Sequence, residues 1–305
     1  MAIKNGINPR FAELGKIKIG GRGKETTSQN GKKFQLPVKY DHFIVTGIEK
    51  GADGNFIPDT EMMKRLGNKP REISIRLLFD DIDINFFTSF QLYAGAKLKC
   101  KGDGEFATRY LESGLTEVVP CEPDKCEFAK SDKCKISGIL SCMISGQSQF
   151  GGVYRFRTHG WNSVSNILAS LQFISQNNNG ILAGLPMRLK MIKTVTAEHG
   201  TIDTVTLVIE ANDIEEMRLL AYKESESRKL LNFDIKQVER IAIESGITKD
   251  NDDPADIEKE FYNQGVPVVE KGTSAEDVAT ILENKPAPAE KKQKQETTTQ
   301  GGLDF

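Results

Sequence analysis

Histidine and tryptophan are scarce in this chain, with three and one copies among 305 residues. His42, His159 and His199 stand in none of the spacings by which two histidines on one helix face grip a catalytic metal. No Gly-x-Ser-x-Gly elbow supplies a nucleophile instead. Hydrolysis is therefore a minor alternative, with His159, followed by Gly160 and Trp161, as its one acid–base candidate. Gly20-Gly21-Arg22-Gly23-Lys24 lacks the Gly-Lys-Ser/Thr ending and the helix that a phosphate loop needs. Asp80, Asp81 and Asp83 could meet a divalent ion, but no EF-hand spacing follows them. Long apolar runs are missing too: nothing approaches the roughly 20 residues of a membrane helix. The stretch from Met1 to Gly6 has no apolar signal region. The expectation is a cytoplasmic protein, in a bacterial host cell, with no membrane partner and no catalytic role.

Net charge is only −2, yet its distribution is uneven. Residues 1–110 hold 19 Lys and Arg against 13 Asp and Glu, residues 111–222 hold 10 against 12, and residues 223–305 hold 12 against 18. A basic front and an acidic rear suit a nucleic-acid binder with an acidic tail, although ordinary solvated surface charge gives the same counts.

Periodicity predicts an α+β fold. Its β-rich core, an OB-like barrel or a sandwich with a cysteine metal clip, spans 1–222, followed by a helical C-terminal region at 223–285 and a disordered tail at 286–305. Lys16 to Ile19 alternates as a strand that the glycines at 20, 21 and 23 should break, leading into a turn-rich basic loop with Lys24, Lys32 and Lys33. Tyr40 to Ile48, Glu72 to Phe79, Ala96 to Lys101, Phe106 to Tyr110 and Val153 to Phe156 read as further strands. Ser163 to Ser175 carries apolar residues three and four apart, an amphipathic helix capped by Asn162 or Ser163. Pro186 to Val195 and Thr201 to Glu210 form a hairpin. Residues 214–245 read as helix interrupted near Asn232, residues 250–254 as linker, and 257–262 and 275–282 as short helices. From Pro286 to Gln300 there is almost nothing to bury.

Four of the five cysteines, Cys121, Cys126, Cys134 and Cys142, fall within 22 residues, and Cys100 lies just upstream. Without a secretion signal a disulfide framework is disfavoured, and thiolate coordination is the better chemistry. Cys121 and Cys126, with Pro123 in the turn, form a knuckle, and Cys134 offers a third sulfur. The fourth is Cys100, brought in by the Gly102-Asp103-Gly104 turn, or alternatively Cys142 if Gly138 folds the chain back. Four thiolates leave no open position, so the ion expected is structural zinc, with an iron–sulfur centre or buried free thiols as alternatives.

Strand-rich folds hold single-stranded nucleic acid with a basic groove and stacked aromatics. Candidate contacts are Lys16, Lys18, Arg22, Lys24, Lys32, Lys33, Lys39 and Tyr40, and a second set of Arg155, Arg157 and Trp161. On an alternating strand Arg155 and Arg157 can show one open face while Tyr154 and Phe156 enter the core.

The serial order of several segments carries a resemblance. Leu14 to Gly20, Leu36 to Thr46, Cys100 to Gly104, the clip ending at Gly138, Gly152 to Gly160, Ser163 to Ile167 and Gly184 to Leu189 together resemble the phage recombination-directionality-factor-like family, over about residues 11–212. The resemblance implies partnership with DNA and, in one branch, with a large serine integrase; from the basic strands and aromatics, single-stranded DNA is expected before duplex. The chain's last residues, Leu303, Asp304 and Phe305 after a polar linker, are similar in form to the tip of bacterial single-stranded-DNA-binding proteins. That similarity implies docking to replication or repair proteins through an aromatic and a terminal carboxylate, and an alternative role in replication.

Overall fold

A computed structural model describes residues 11–27, 33–94, 97–130, 134–147, 151–197, 200–245, 252 and 254–261. All lie in one compact unit, 1–264; residues 265–305 fall outside the described residues. The architecture is α+β and strand-rich, with helices at its C-terminal side.

A long hairpin opens the chain: β1 (Ala12–Thr27) pairs antiparallel with β2 (Lys33–Lys50), and β3 (Phe56–Pro58) extends its edge. After α1 (Thr60–Leu66) come β4 (Glu72–Arg76), the single turn α2 (Ile82–Asn85) and β5 (Phe86–Ala94). The strands β6 (Lys97–Gly102), β7 (Phe106–Tyr110) and β8 (Thr116–Pro120) form a meander, and the short α3 (Glu127–Lys130) leads into β9 (Cys134–Ile144). Then follow β10 (Gly152–Thr158), α4 (Trp161–Asn177), and the hairpin β11 (Met187–Thr196) with β12 (Gly200–Ile209). Three helices complete the unit: α5 (Ile214–Leu230), α6 (Ile235–Ser245) and α7 (Pro254–Phe261).

The strands run in the order β3-β2-β1-β10-β9-β5-β6-β7-β8, and β9 also pairs at its end with β4, which carries β11 and β12. Strand β9 thus joins two sheets, and the main core fills the space between them and α4. Phe43, Phe86, Leu140, Phe156, Ile167, Leu171, Leu189 and Leu207 are fully buried there. The rings of Phe43 and Phe156 meet edge-on at 6.2 Å, and each buried side chain of this size contributes about 2–3 kcal/mol.

Two local expectations differ. The glycines near position 20 do not end β1; the strand passes through them with register shifts between Lys18 and Gly20 and between Arg22 and Glu25. The absent side chains allow this: a Cβ on Gly20 would stand 2.8 Å from the Val38 carbonyl oxygen, and one on Gly21 would stand 2.4 Å from the Tyr40 hydroxyl. Helix α4 begins at Gly160 rather than at Asn162 or Ser163. The Ser163 hydroxyl instead accepts a hydrogen bond from the Val205 amide at 3.0 Å, fastening the helix to β12. It ends at Asn178, with Asn179 and Gly180 at positive φ.

Candidate nucleic-acid interface and cysteine cluster

Strands β1 and β10 run parallel, with Lys16 beside Arg155 and Ile17 beside Phe156. Because side chains alternate along a strand, this register sorts them by charge. Ile17, Tyr154 and Phe156 enter the core, while Lys16, Lys18, Arg155 and Arg157 share the opposite face. That face is not open as expected: all seven residues of β10 are buried, Arg155 and Arg157 being 5% and 9% exposed. The cover is the acidic segment at 252–261.

Asp252 lies between two cations. Arg157 donates through Nε at 3.0 Å and stands 2.8 Å away through Nη2, and Lys16 donates at 2.7 Å. Asp256 pairs with Arg22 at 2.7 Å and Lys50 at 2.5 Å, and Glu260 pairs with Lys18. Glu13 on β1 adds a carboxylate 2.7 Å from Lys16 and 3.8 Å from Arg155. Phe56 supports the lysines from below, its ring centroid 5.0 Å from the ammonium groups of Lys16 and Lys18 and 5.4 Å from that of Lys50.

The electrostatics follow from burial. Burial pushes the Asp252 carboxyl up, but Arg157 and Lys16 outweigh it and hold the group well below the usual carboxylate range. Burial likewise opposes charge on Lys16, where Asp252 and Glu13 prevail and raise its value. For Lys18 burial wins over Glu260, and the value is lowered. Arg155 Nε is buried with no hydrogen-bond partner among the described residues, leaving a donor in reserve.

Beside α7 runs a cleft of about 800 Å³, with Lys39, Arg157, His159, Trp161, Glu260 and Phe261 in its walls. Trp161 is 60% exposed and lies 6.2 Å from the Phe90 ring. Lys39 donates to the Asp203 carbonyl oxygen at 2.7 Å. Tyr40 is half-buried behind Gly21 and away from this cleft. Lys24 and Lys33 fall within β1 and β2, but their side chains, like Lys32 and the Leu303, Asp304 and Phe305 tip, lie outside the described residues. The same holds for His199. His159 donates from Nδ1 to the Ile136 carbonyl oxygen at 2.8 Å and packs 4.4 Å from the Phe261 ring. Asp80 is engaged by Arg228 at 2.6 Å and by the amides of Leu182 and Ala183, and Asp81 caps α2. Sequence reasoning missed Glu13, Lys50, Phe56 and the acidic cover. The acidic excess after residue 223 and the i,i+4 spacing of Asp256 and Glu260 were the available signals.

Four cysteines meet elsewhere. Cys100 and Cys134 both pair with Leu92 of β5, from opposite sides, which puts them in one row two strand spacings apart, roughly 10 Å between backbones. Cys121 leaves β8 with its amide on the Glu105 carbonyl oxygen at 2.8 Å, and a helical turn brings the Cys126 amide to the Glu122 carbonyl oxygen at 2.8 Å. All four line one cavity of about 30 Å³ walled by Phe90, Leu92 and Phe128, a volume suited to one ion or water. Gly102 makes room, since a Cβ there would stand 2.6 Å from Cys121 Sγ. Among the described residues, no group of three or more His, Cys, Asp or Glu side chains is placed so as to hold a metal ion. Thiols of the kind that line this cavity are the donors a soft divalent ion takes. Burial, with the neighbouring thiols, pushes the Cys134 thiol up to about 12, and burial also raises Cys100.

Cys142 is not part of this cluster. Gly138 does not turn the chain: it sits inside β9 between Thr88 and Thr158, packed under the Phe86 ring. Cys142 therefore stays in the main core, fully buried, with Sγ 3.8 Å from the Tyr154 carbonyl oxygen.

No helix among the described residues is long and apolar enough to cross a membrane. A model of the Gp3-like family, described as recombination directionality factor-like, matches residues 14–212. That span takes in both the cysteine cluster and the β1–β10 face. No curated protein and no solved structure matches the chain.

Proposed function

The chain belongs to the recombination directionality factor-like family, and on that premise we propose that it is a phage accessory protein acting through DNA and protein partners, by binding rather than catalysis. The observation that carries this reading is the row of cations Lys16, Lys18, Arg22, Arg155 and Arg157 on one face, continuous with a cleft that presents Trp161. Cations hold phosphates, and an exposed aromatic stacks on an unpaired base, so single-stranded DNA is the preferred ligand over duplex. A large serine integrase is the protein partner that the family suggests. Labelled single-stranded and duplex DNA titrated at two salt concentrations test the reading. Salt-dependent binding, tighter for the single strand and weakened by Trp161→Ala, is expected; no binding at low salt would contradict it. An unchanged balance of integration and excision in a serine-integrase reaction would remove the recombination role and leave a replication role as the alternative.

The cysteine cluster serves that function as a structural device. In this reading Cys100, Cys121, Cys126 and Cys134 hold a zinc ion that ties β6, the knuckle after β8 and the start of β9 into one unit. Bound zinc would stabilise the thiolates that burial disfavours, releasing protons as it enters. Metal analysis of the purified chain should find one equivalent of zinc, lost in Cys126→Ser and retained in Cys142→Ser. A metal-free, chelator-insensitive protein would overturn this assignment.

A further inference from the structure

We propose that the face beneath α7 is the seat of a single nucleic-acid strand's phosphate chain, and that the acidic segment 252–261 occupies this seat in the free protein as a built-in competitor. The inference rests on the nucleic-acid reading above and adds to it the location of the contact and its control.

Six cations, Lys16, Lys18, Arg22, Lys50, Arg155 and Arg157, crowd one face of β1, β2 and β10. Like charges so placed and largely removed from water require anions close by. Among the described residues, Glu13 is the one carboxylate of their ion-pair partners that comes from the sheet itself; Asp252, Asp256 and Glu260 come from the segment laid across them. Asp256 and Glu260 stand one above the other along α7, about 6 Å apart on its axis, and Asp252 precedes the helix in the same direction. A file of negative charges carried on a narrow backbone is also what a nucleic-acid strand offers.

The segment is held in a manner that permits exchange. Among the described side chains of α7, Ile257 is buried and Phe261 packs against His159. Among the described residues the segment is otherwise held by ion pairs, which a competing polyanion can replace one for one and which salt weakens, and by a hydrogen bond from Lys135 Nζ to the Phe261 carbonyl oxygen at 3.0 Å. Among the described residues these six cations pair with Glu13, Asp252, Asp256 and Glu260, and Arg155 Nε has no hydrogen-bond acceptor. Glu260 and Phe261 line both the seat and the neighbouring cleft. A strand displacing them would run on past Lys39 and Trp161.

The test uses the full chain, labelled oligothymidylate and a labelled hairpin duplex at low salt. In the first variant Asp252→Asn, Asp256→Asn and Glu260→Gln neutralise the segment. In the second, Glu112→Gln, Glu117→Gln and Glu215→Gln make the same charge change on distant exposed surface. The first should bind oligothymidylate about 10-fold tighter than wild type or more, and the second should bind as wild type does. Adding Lys16→Gln and Arg157→Gln to the first should abolish the gain. Equal binding by wild type and first variant overturns the inference while the nucleic-acid reading stands. An equal gain in the second variant, or a gain that survives loss of Lys16 and Arg157, overturns it as well. A gain that is as large for the duplex overturns the single-strand assignment. No binding by any of these proteins overturns inference and reading together. Should the triple variant lose its fold, Glu260→Gln alone, which releases Lys18, is read in the same way.

Discussion

The two faces of β10 are buried by opposite means. On one, Tyr154 and Phe156 pack into a core made of both sheets and α4. On the other, Arg155 and Arg157 are closed over by an acidic segment nearly a hundred residues further along the chain. Apolar burial is non-directional and is not screened by ions as charge pairs are. Burial by ion pairing depends on named partners, on pH and on ionic strength. One strand therefore joins a permanent interior to an exchangeable one, and the second is the place where an outside anion can compete.

Substitutions that separate the two faces sharpen this contrast. The largest effect is expected from Phe156→Ala, which should lower unfolding stability by about 3–5 kcal/mol, equally at low and high salt in denaturant titrations. Next is Asp252→Asn, which strips Arg157 and Lys16 of their shared carboxylate. It should weaken docking of α7 by about 3 kcal/mol, seen as faster hydrogen exchange in α7 with β10 still protected. Acid should act on the same contact. The Asp252 value is lowered on docking, so its contribution is complete above the free carboxyl value near 3.9 and is lost as pH falls through the lower, docked value. Protection of α7 should therefore hold at about pH 5 and disappear on further acidification, before the core unfolds. The smallest effect is Ser137→Ala, which removes the hydroxyl that accepts from Arg157 Nη1 at 3.1 Å and should cost about 1 kcal/mol.

Much of the apolar face was legible because its signal is local. Alternation around Ile17 and Phe156 identified the strands and their inward residues without knowledge of neighbours. The charged face was legible only in part: its cations could be named, but their cover comes from residues that read as a linker and a short helix. Two carboxylates four residues apart look the same on a solvated helix as on a docked one. The glycines of β1 misled for a similar reason, since a glycine run usually ends a strand. Here the missing Cβ atoms are required by the Val38 carbonyl and the Tyr40 hydroxyl on the paired strand. The cysteine knuckle was readable from spacing, whereas the arrival of Cys100 beside Cys134 depends on the register that both share with Leu92. Strands β5 and β8 gave no readable signal, β8 being almost wholly exposed at the sheet's edge.

The most direct measurement is hydrogen exchange across residues 252–261 as single-stranded DNA is added to the intact protein. Exchange with phosphate requires α7 amides to lose protection at saturating DNA while those of Tyr154 and Phe156 keep theirs. If α7 stayed as protected with DNA bound as without it, the strand would be seated elsewhere and the acidic segment would be a fixed part of the fold.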